Sequence, residues 1–235
     1  MRILPGPTRS NKLLAWSPCG RWLAAGGTGE GVTVWDTFAG TEGRRILHGT
    51  QGAVLLRFLP ESGALFAAMR NGAWVWNPTD ESAAPVTLRR GGRVVSEYGI
   101  FAFALSGSGR RCAQFVYRNR ARQLEIYALE SGRLELLHQY PTGEFGVSGP
   151  IAFHTETELL GTLPTGRFGR WDTETGAPAA VALAPNSASV EHWALSPDGT
   201  RVVWTTADAL HAGALDGTGA ASIPTPAKAY RHGLA

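Results

Sequence analysis

An all-β chain of about five repeated four-strand units is what this sequence predicts, and three observations carry that expectation. The first is a pattern that recurs about every 40 to 50 residues, an apolar strand running into a tight turn. The second is period-two alternation in segments after each turn, bounded by Gly, Asp and Thr. The third is composition. With 30 Gly and 14 Pro in 235 residues, 43 % hydrophobic and 17 % charged, the chain has neither the bias of disorder nor that of a membrane protein. No segment has the apolar spacing and caps of a long helix. The repeat length is that of a propeller blade, so the expected fold is a β-propeller of four-stranded antiparallel blades.

The elements follow in order. First strands with their turns read Leu14-Ala15-Trp16-Ser17-Pro18-Cys19-Gly20, Leu56-Arg57-Phe58-Leu59-Pro60 and Phe103-Ala104-Leu105-Ser106-Gly107. The pattern returns as Ile151-Ala152-Phe153-His154 and Trp193-Ala194-Leu195-Ser196-Pro197-Asp198-Gly199. From Ser17 the anchors fall at Leu59, Ser106, His154 and Ser196, spacings of 42, 47, 48 and 42. Second strands rich in Ala and Gly are expected at 22–26, 64–68, 112–116, 159–163 and 201–205. Third strands carry Val32-Val34-Trp35-Asp36, Trp74-Trp76-Asn77, Leu124-Ile126-Tyr127 and Phe168-Arg170-Trp171-Asp172. Fourth strands are expected at 44–47, 86–89, 134–138 and 180–183. The fifth unit lacks an aromatic residue in its third strand, where Trp193 and Trp204 are expected to supply the bulk.

These residues resemble the WD-repeat family of β-propellers over roughly residues 10–220. Trp35-Asp36 and Trp171-Asp172 stand where that family ends its third strand, and Ser17-Pro18 and Ser196-Pro197-Asp198-Gly199 match its first turn. The resemblance implies a propeller that serves as a protein-interaction scaffold, without cofactor. The family's Gly-His pair survives only as a reversed His48-Gly49, and its acidic residue between second and third strands is mostly missing. Its buried hydrogen-bonded tetrad is therefore not carried over to these blades.

The expected domain is one propeller over 1–220, with repeats near 11–48, 53–90, 99–139, 149–184 and 190–220. Residues 221–235 are a tail or the last outer strand. Arg2-Ile3-Leu4 parallels Arg45-Ile46-Leu47 in its distance to a following Pro, so the N-terminus is a candidate latch for the last blade. The alternative is an array truncated from a larger propeller.

Chemistry is sparse. Cys19 and Cys112 are too far apart in sequence for a disulfide framework or a cysteine metal knot, and with no leader-like apolar stretch a reducing, cytoplasmic setting is expected. No apolar run reaches the length of a membrane span. The Gly26–Gly31 stretch leads into a strand, which makes it a β-turn and not a phosphate loop. The six His show no metal-ligand spacing, and no nucleophile elbow is present. Catalytic, metal and cofactor residues are accordingly expected to be none. Five-bladed glycosidases suggest a competing class, a carbohydrate-binding or carbohydrate-active propeller with Glu97, Glu144 and Glu191 as carboxylates and Trp74 as a stacking ring. Those carboxylates read better as solvated loop charges, and the other Trp, Trp16 included, as core.

Charge distribution points to a partner. The chain carries 22 Lys and Arg against 19 Asp and Glu, net +3. Loops from second to third strand and segments between blades emerge on one face, which sorts to net +5 and leaves −2 elsewhere. Arg70, Tyr117, Arg118, Arg120, Arg122 and Arg167 are the candidate partner-binding residues, a mixture suited to bidentate carboxylate contacts. The expected partner is another protein, through an acidic segment. Nucleic acid is not expected, because stacking aromatics are few there, and neither a membrane nor a small-molecule substrate is indicated.

Overall fold

A computed structural model describes residues 11–27, 31–39, 44–46, 53–69, 72–80, 84–90, 93–94, 100–118, 121–130, 133–142, 149–181, 189–196 and 198–224. Every regular element among them is a β-strand. Blade 1 comprises β1 (Asn11–Trp16), β2 (Trp22–Gly27), β3 (Val32–Asp36) and β4 (Arg44–Ile46). Blade 2 comprises β5 (Ala53–Phe58), β6 (Leu65–Met69), β7 (Gly72–Trp76), β8 (Val86–Arg90) and a short extra strand β9 (Arg93–Val94). In blade 3, β10 (Ile100–Leu105), β11 (Arg111–Arg118), β12 (Ala121–Glu130) and β13 (Arg133–Pro141) are the longest set. Blade 4 holds β14 (Ile151–Phe153), β15 (Glu158–Thr162), β16 (Phe168–Asp172) and β17 (Pro178–Ala180). Blade 5 holds β18 (His192–Leu195), β19 (Arg201–Thr205), β20 (Ala209–Ala214) and β21 (Ala221–Pro224). All pairings are antiparallel between consecutive strands, and the blades stand together as a five-blade β-propeller with first strands innermost.

The turn residues explain why the chain reverses where it does. Ser17 accepts the Trp22 N–H on its hydroxyl at 2.9 Å, and Ser106 and Ser196 hold Arg111 and Arg201 in the same way at 3.1 and 2.9 Å. Gly199, at φ +73°, completes one such turn, and a Cβ there would lie 2.6 Å from the carbonyl oxygen of His154 on blade 4. A left-handed backbone and a close approach therefore both require glycine. At the far end of the third strand, Asp36 Oδ1 accepts the N–H groups of Phe38 and Ala39, and Asp172 Oδ1 those of Glu174 and Thr175. The Asp of each Trp-Asp pair thus builds an Asx turn, the local alternative that short carboxylates offer the backbone.

Alternation sorts each blade into two faces, one toward the preceding blade and one toward the next. Leu56 and Phe58 pack on Ala24, Val32 and Val34 of blade 1, and Phe103 and Leu105 on Phe66, Ala68 and Ala73 of blade 2. Ile151 and Trp171 pack on Ala113, Phe115 and Leu124 of blade 3, and Trp193 on Leu160 and Phe168 of blade 4. Trp35, Trp76, Tyr127 and Trp171 occupy one register position, each opposite a second-strand residue, Leu23, Leu65, Cys112 and Leu159. In blade 5 that position is Gly213, opposite Val202. There Trp193 and Trp204 meet Phe168 edge-on at 5.7 and 5.9 Å, restoring the lost bulk. Burying such side chains stabilises the fold by about 1.5–3 kcal/mol each.

Three expectations need correction. Trp74 is buried against blade 1 and presents no ring to a carbohydrate, because its strand position faces the blade interface. Trp16 is 59 % exposed and not core, since the described residues place no blade ahead of blade 1 to receive it. The fourth strand of blade 4 begins at Pro178 rather than 180, where it pairs with Trp171. The fourth-strand place of blade 5 is taken by Ala221–Pro224, paired with β20. The N-terminal latch, residues 1–10, lies outside the described residues.

Candidate partner-binding rim

The antiparallel order sends first-to-second and third-to-fourth turns to one rim and second-to-third turns and inter-blade segments to the other. One contact ties the latter set together directly. Val190 N–H, in the segment entering blade 5, donates to Gly166 O in the second-to-third turn of blade 4 at 3.1 Å.

On the first rim charges are spent largely between and within blades. Arg110 pairs with Glu61 across blades 3 and 2 at 2.8 Å, and Arg111 with Glu174 across blades 3 and 4. Glu156 of blade 4 accepts the N–H and hydroxyl of Ser108 on blade 3, both at 2.8 Å. Arg21 donates twice to Asp36 Oδ2. Arg57, at a first-strand position where the other four blades hold Ala15, Ala104, Ala152 and Ala194, reaches Leu105 O at 2.8 Å. These contacts set the ionisation. The Arg111 guanidinium holds the Glu174 carboxyl below its ordinary value. Burial opposes ionisation of Glu156, but the Ser108 hydrogen bonds outweigh it and its pKa is also lowered. The Ser196 hydroxyl and the Thr200 N–H bring Asp198 down to about 2. Arg133 and Arg201 stand on this rim without an ion pair among the described residues.

The second rim carries the sequence candidates. Arg122 is exposed at the start of β12, its carbonyl gripped by the N–H and hydroxyl of Thr142, both at 3.1 Å. Arg167 is exposed in the turn before β16, its carbonyl accepting Leu163 N–H at 2.7 Å. Both guanidiniums thus ride on fixed backbone, and neither has an ion pair among the described residues. Tyr117 and Arg118 belong to β11, where the register sets Tyr117 opposite Arg122 and Arg118 opposite Ala121. Their side chains, and all of Arg70 and Arg120, lie outside the described residues. Arginines therefore sit on blades 3 and 4, while Glu191 and Asp208 place this rim's described acids on blade 5. Thr206 there donates to Asp208 at 2.6 Å and lies 3.1 Å from His211, which stacks on Trp204.

One polar cluster was not foreseen. Glu125 is fully buried in blade 3, and its Oε2 accepts the Tyr127 hydroxyl at 2.5 Å and the Gln114 amide at 2.7 Å. Its signal in sequence was Gln114 and Glu125, polar residues within apolar strands and opposite each other in register. These bonds make the cluster a brace, although Gln114 Oε1 is buried without a partner among the described residues. Among the described residues no group of His, Cys, Asp and Glu could hold a metal ion. No helix there is long and apolar enough to cross a membrane. Glu97 and Glu144 lie outside the described residues.

No family model matches this chain, and no curated protein does either. Solved structures do. The β-propeller domain of Cps50 (Swd1) from Myceliophteria thermophila superposes with a TM-score of 0.73 at 17 % identity, over 96 % of this chain and 77 % of that one. The computationally designed Ika8 protein matches with a TM-score of 0.63 at 16 % identity, over 92 % of this chain and 62 % of its own. At that identity the likeness is one of fold.

Proposed function

We propose that this chain is a non-enzymatic interaction platform of WD-repeat type, and that the second rim binds an acidic segment of another protein. The contrast between the rims carries the reading. Arg21, Arg110 and Arg111 are consumed by carboxylates of the fold, whereas Arg122 and Arg167 are exposed on anchored backbone with no such partner among the described residues. Arg70, Arg118, Arg120 and Tyr117 fall on the same rim by strand order. An arginine fork that no carboxylate of its own chain occupies is free to take one bidentately from outside. Blade-to-blade packing makes a rigid support, so little conformational entropy is lost on binding. Likeness of fold to the Swd1 propeller supports a scaffold by analogy alone. A carbohydrate role has lost its stacking ring, since Trp74 is interior.

The test is capture of a Glu-rich peptide by the parent and by an Arg118→Ser, Arg120→Ser, Arg122→Ser triple variant, at low and high salt. The variant should fold normally and bind about tenfold or more weakly, and the parent's affinity should fall as salt rises. Equal binding by both proteins, indifferent to salt, would contradict the proposal.

A further inference from the structure

We propose that two copies of this chain join head to tail, the leading face of blade 1 in one copy packing on the trailing face of blade 5 in the other. Leading denotes the face toward the preceding blade. Four times in this molecule the same pair of first-strand positions, one and three residues before the turn, packs on the blade ahead: Leu56 and Phe58, Phe103 and Leu105, Ile151 and the partly buried Phe153, Trp193 and the partly buried Leu195. At the matching positions of blade 1, Leu14 is 67 % and Trp16 59 % exposed. Thr33 and Trp35, farther out on the same face, are buried, so the exposure belongs to the innermost strand, where neighbouring blades come closest.

Blade 5 presents the complementary surface. Its trailing face holds Val203, 37 % exposed, Ala194 and Ala212, partly exposed, and Ile223, 64 % exposed. Val203 stands in the register place that Ala24, Phe66, Ala113 and Leu160 fill in the other blades, each covered by the next blade's first strand. The chain thus exposes one surface of each kind from a pairing it already makes four times.

Two observations select a second copy as the occupant. Each exposed surface is the counterpart of the other in a pairing that the chain makes four times, so a second copy supplies both complements. The two ends also carry opposite charge: residues 1–48 hold six Lys and Arg against three Asp and Glu, and residues 190–220 one against four. Like faces would repel, so the symmetric face-to-face dimer is disfavoured and the head-to-tail contact favoured. With two copies, each exposed face finds its complement and every blade has two neighbours.

The experiment places single cysteines at the two faces. In a Cys19→Ser background, Trp16→Cys and Val203→Cys proteins are mixed at micromolar concentration and mildly oxidised. The mixture should give a covalent dimer that neither protein gives alone. The parent should sediment as a dimer, and Trp16→Asp and Val203→Asp should each sediment as a monomer with unchanged far-ultraviolet circular dichroism. A double-cysteine protein that forms its disulfide within one chain would mean that the propeller closes on itself, and would overturn the proposal. So would a parent that sediments as a monomer.

Discussion

The junction of blades 3 and 4 and the rim above it use the same residue type to opposite ends. At the junction, Arg111 meets Glu174, Ser108 meets Glu156, and Tyr140 donates to Glu174 O at 2.6 Å, over an apolar layer in which Trp171 meets Phe115 edge-on at 5.3 Å. On the rim, Arg122 and Arg167 stand on the same two blades without ion pairs among the described residues. Position in the strand order separates the two uses. Arg110 and Arg111 sit beside a neighbouring blade's turn and are matched by its carboxylates, whereas Arg122 and Arg167 on the opposite rim have no ion pair among the described residues.

The largest effect that can break this comparison lies beneath both groups. Trp171→Ala should cost about 3–5 kcal/mol in denaturant unfolding, since the ring is almost fully buried and links two blades. Gly199→Ala should cost on the order of 1–3 kcal/mol by the same measurement, because it forces both a left-handed residue and a contact with His154 O. A smaller effect is pH dependent. Glu174 and Glu156 have depressed values in the folded protein, so the stability they contribute is fully present above their unfolded values near 4.5 and is lost as pH falls through the folded ones. Thermal melts across that window should show the loss, and Glu174→Gln should flatten it. The smallest effect is expected at the other site. Arg122→Ser with Arg167→Ser should change stability by no more than about 0.5 kcal/mol.

Much of the propeller was legible because each blade repeats the same local chemistry. Ser17, Ser106 and Ser196 at one turn and Asp36 and Asp172 at another bond within a few residues, so their sequence spacing encodes the reversal. The braces were not legible. Ser108 and Glu156 are 48 residues apart and Arg111 and Glu174 are 63 apart, and only the stacking of blades brings them together. Alternation likewise told that Trp16 and Trp74 would each take a face, but not whether a neighbour would cover it. The start of β17 was placed two residues late because Pro178, which has no N–H to give a ladder, can still stand as the first residue of a strand. For the candidate rim, strand order was enough to group the arginines. Nothing in the sequence signalled that Thr142 and Leu163 would anchor the backbone beneath Arg122 and Arg167.

The most direct measurement exchanges the two sets of arginines. Arg110→Ser with Arg111→Ser and, separately, Arg122→Ser with Arg167→Ser are compared for melting temperature and for affinity toward one Glu-rich peptide. The first pair should melt lower and bind the peptide like the parent. The second should melt like the parent and bind more weakly, with a shallower dependence on salt. If peptide binding is lost from the first pair and kept by the second, the assignment of the two rims is wrong.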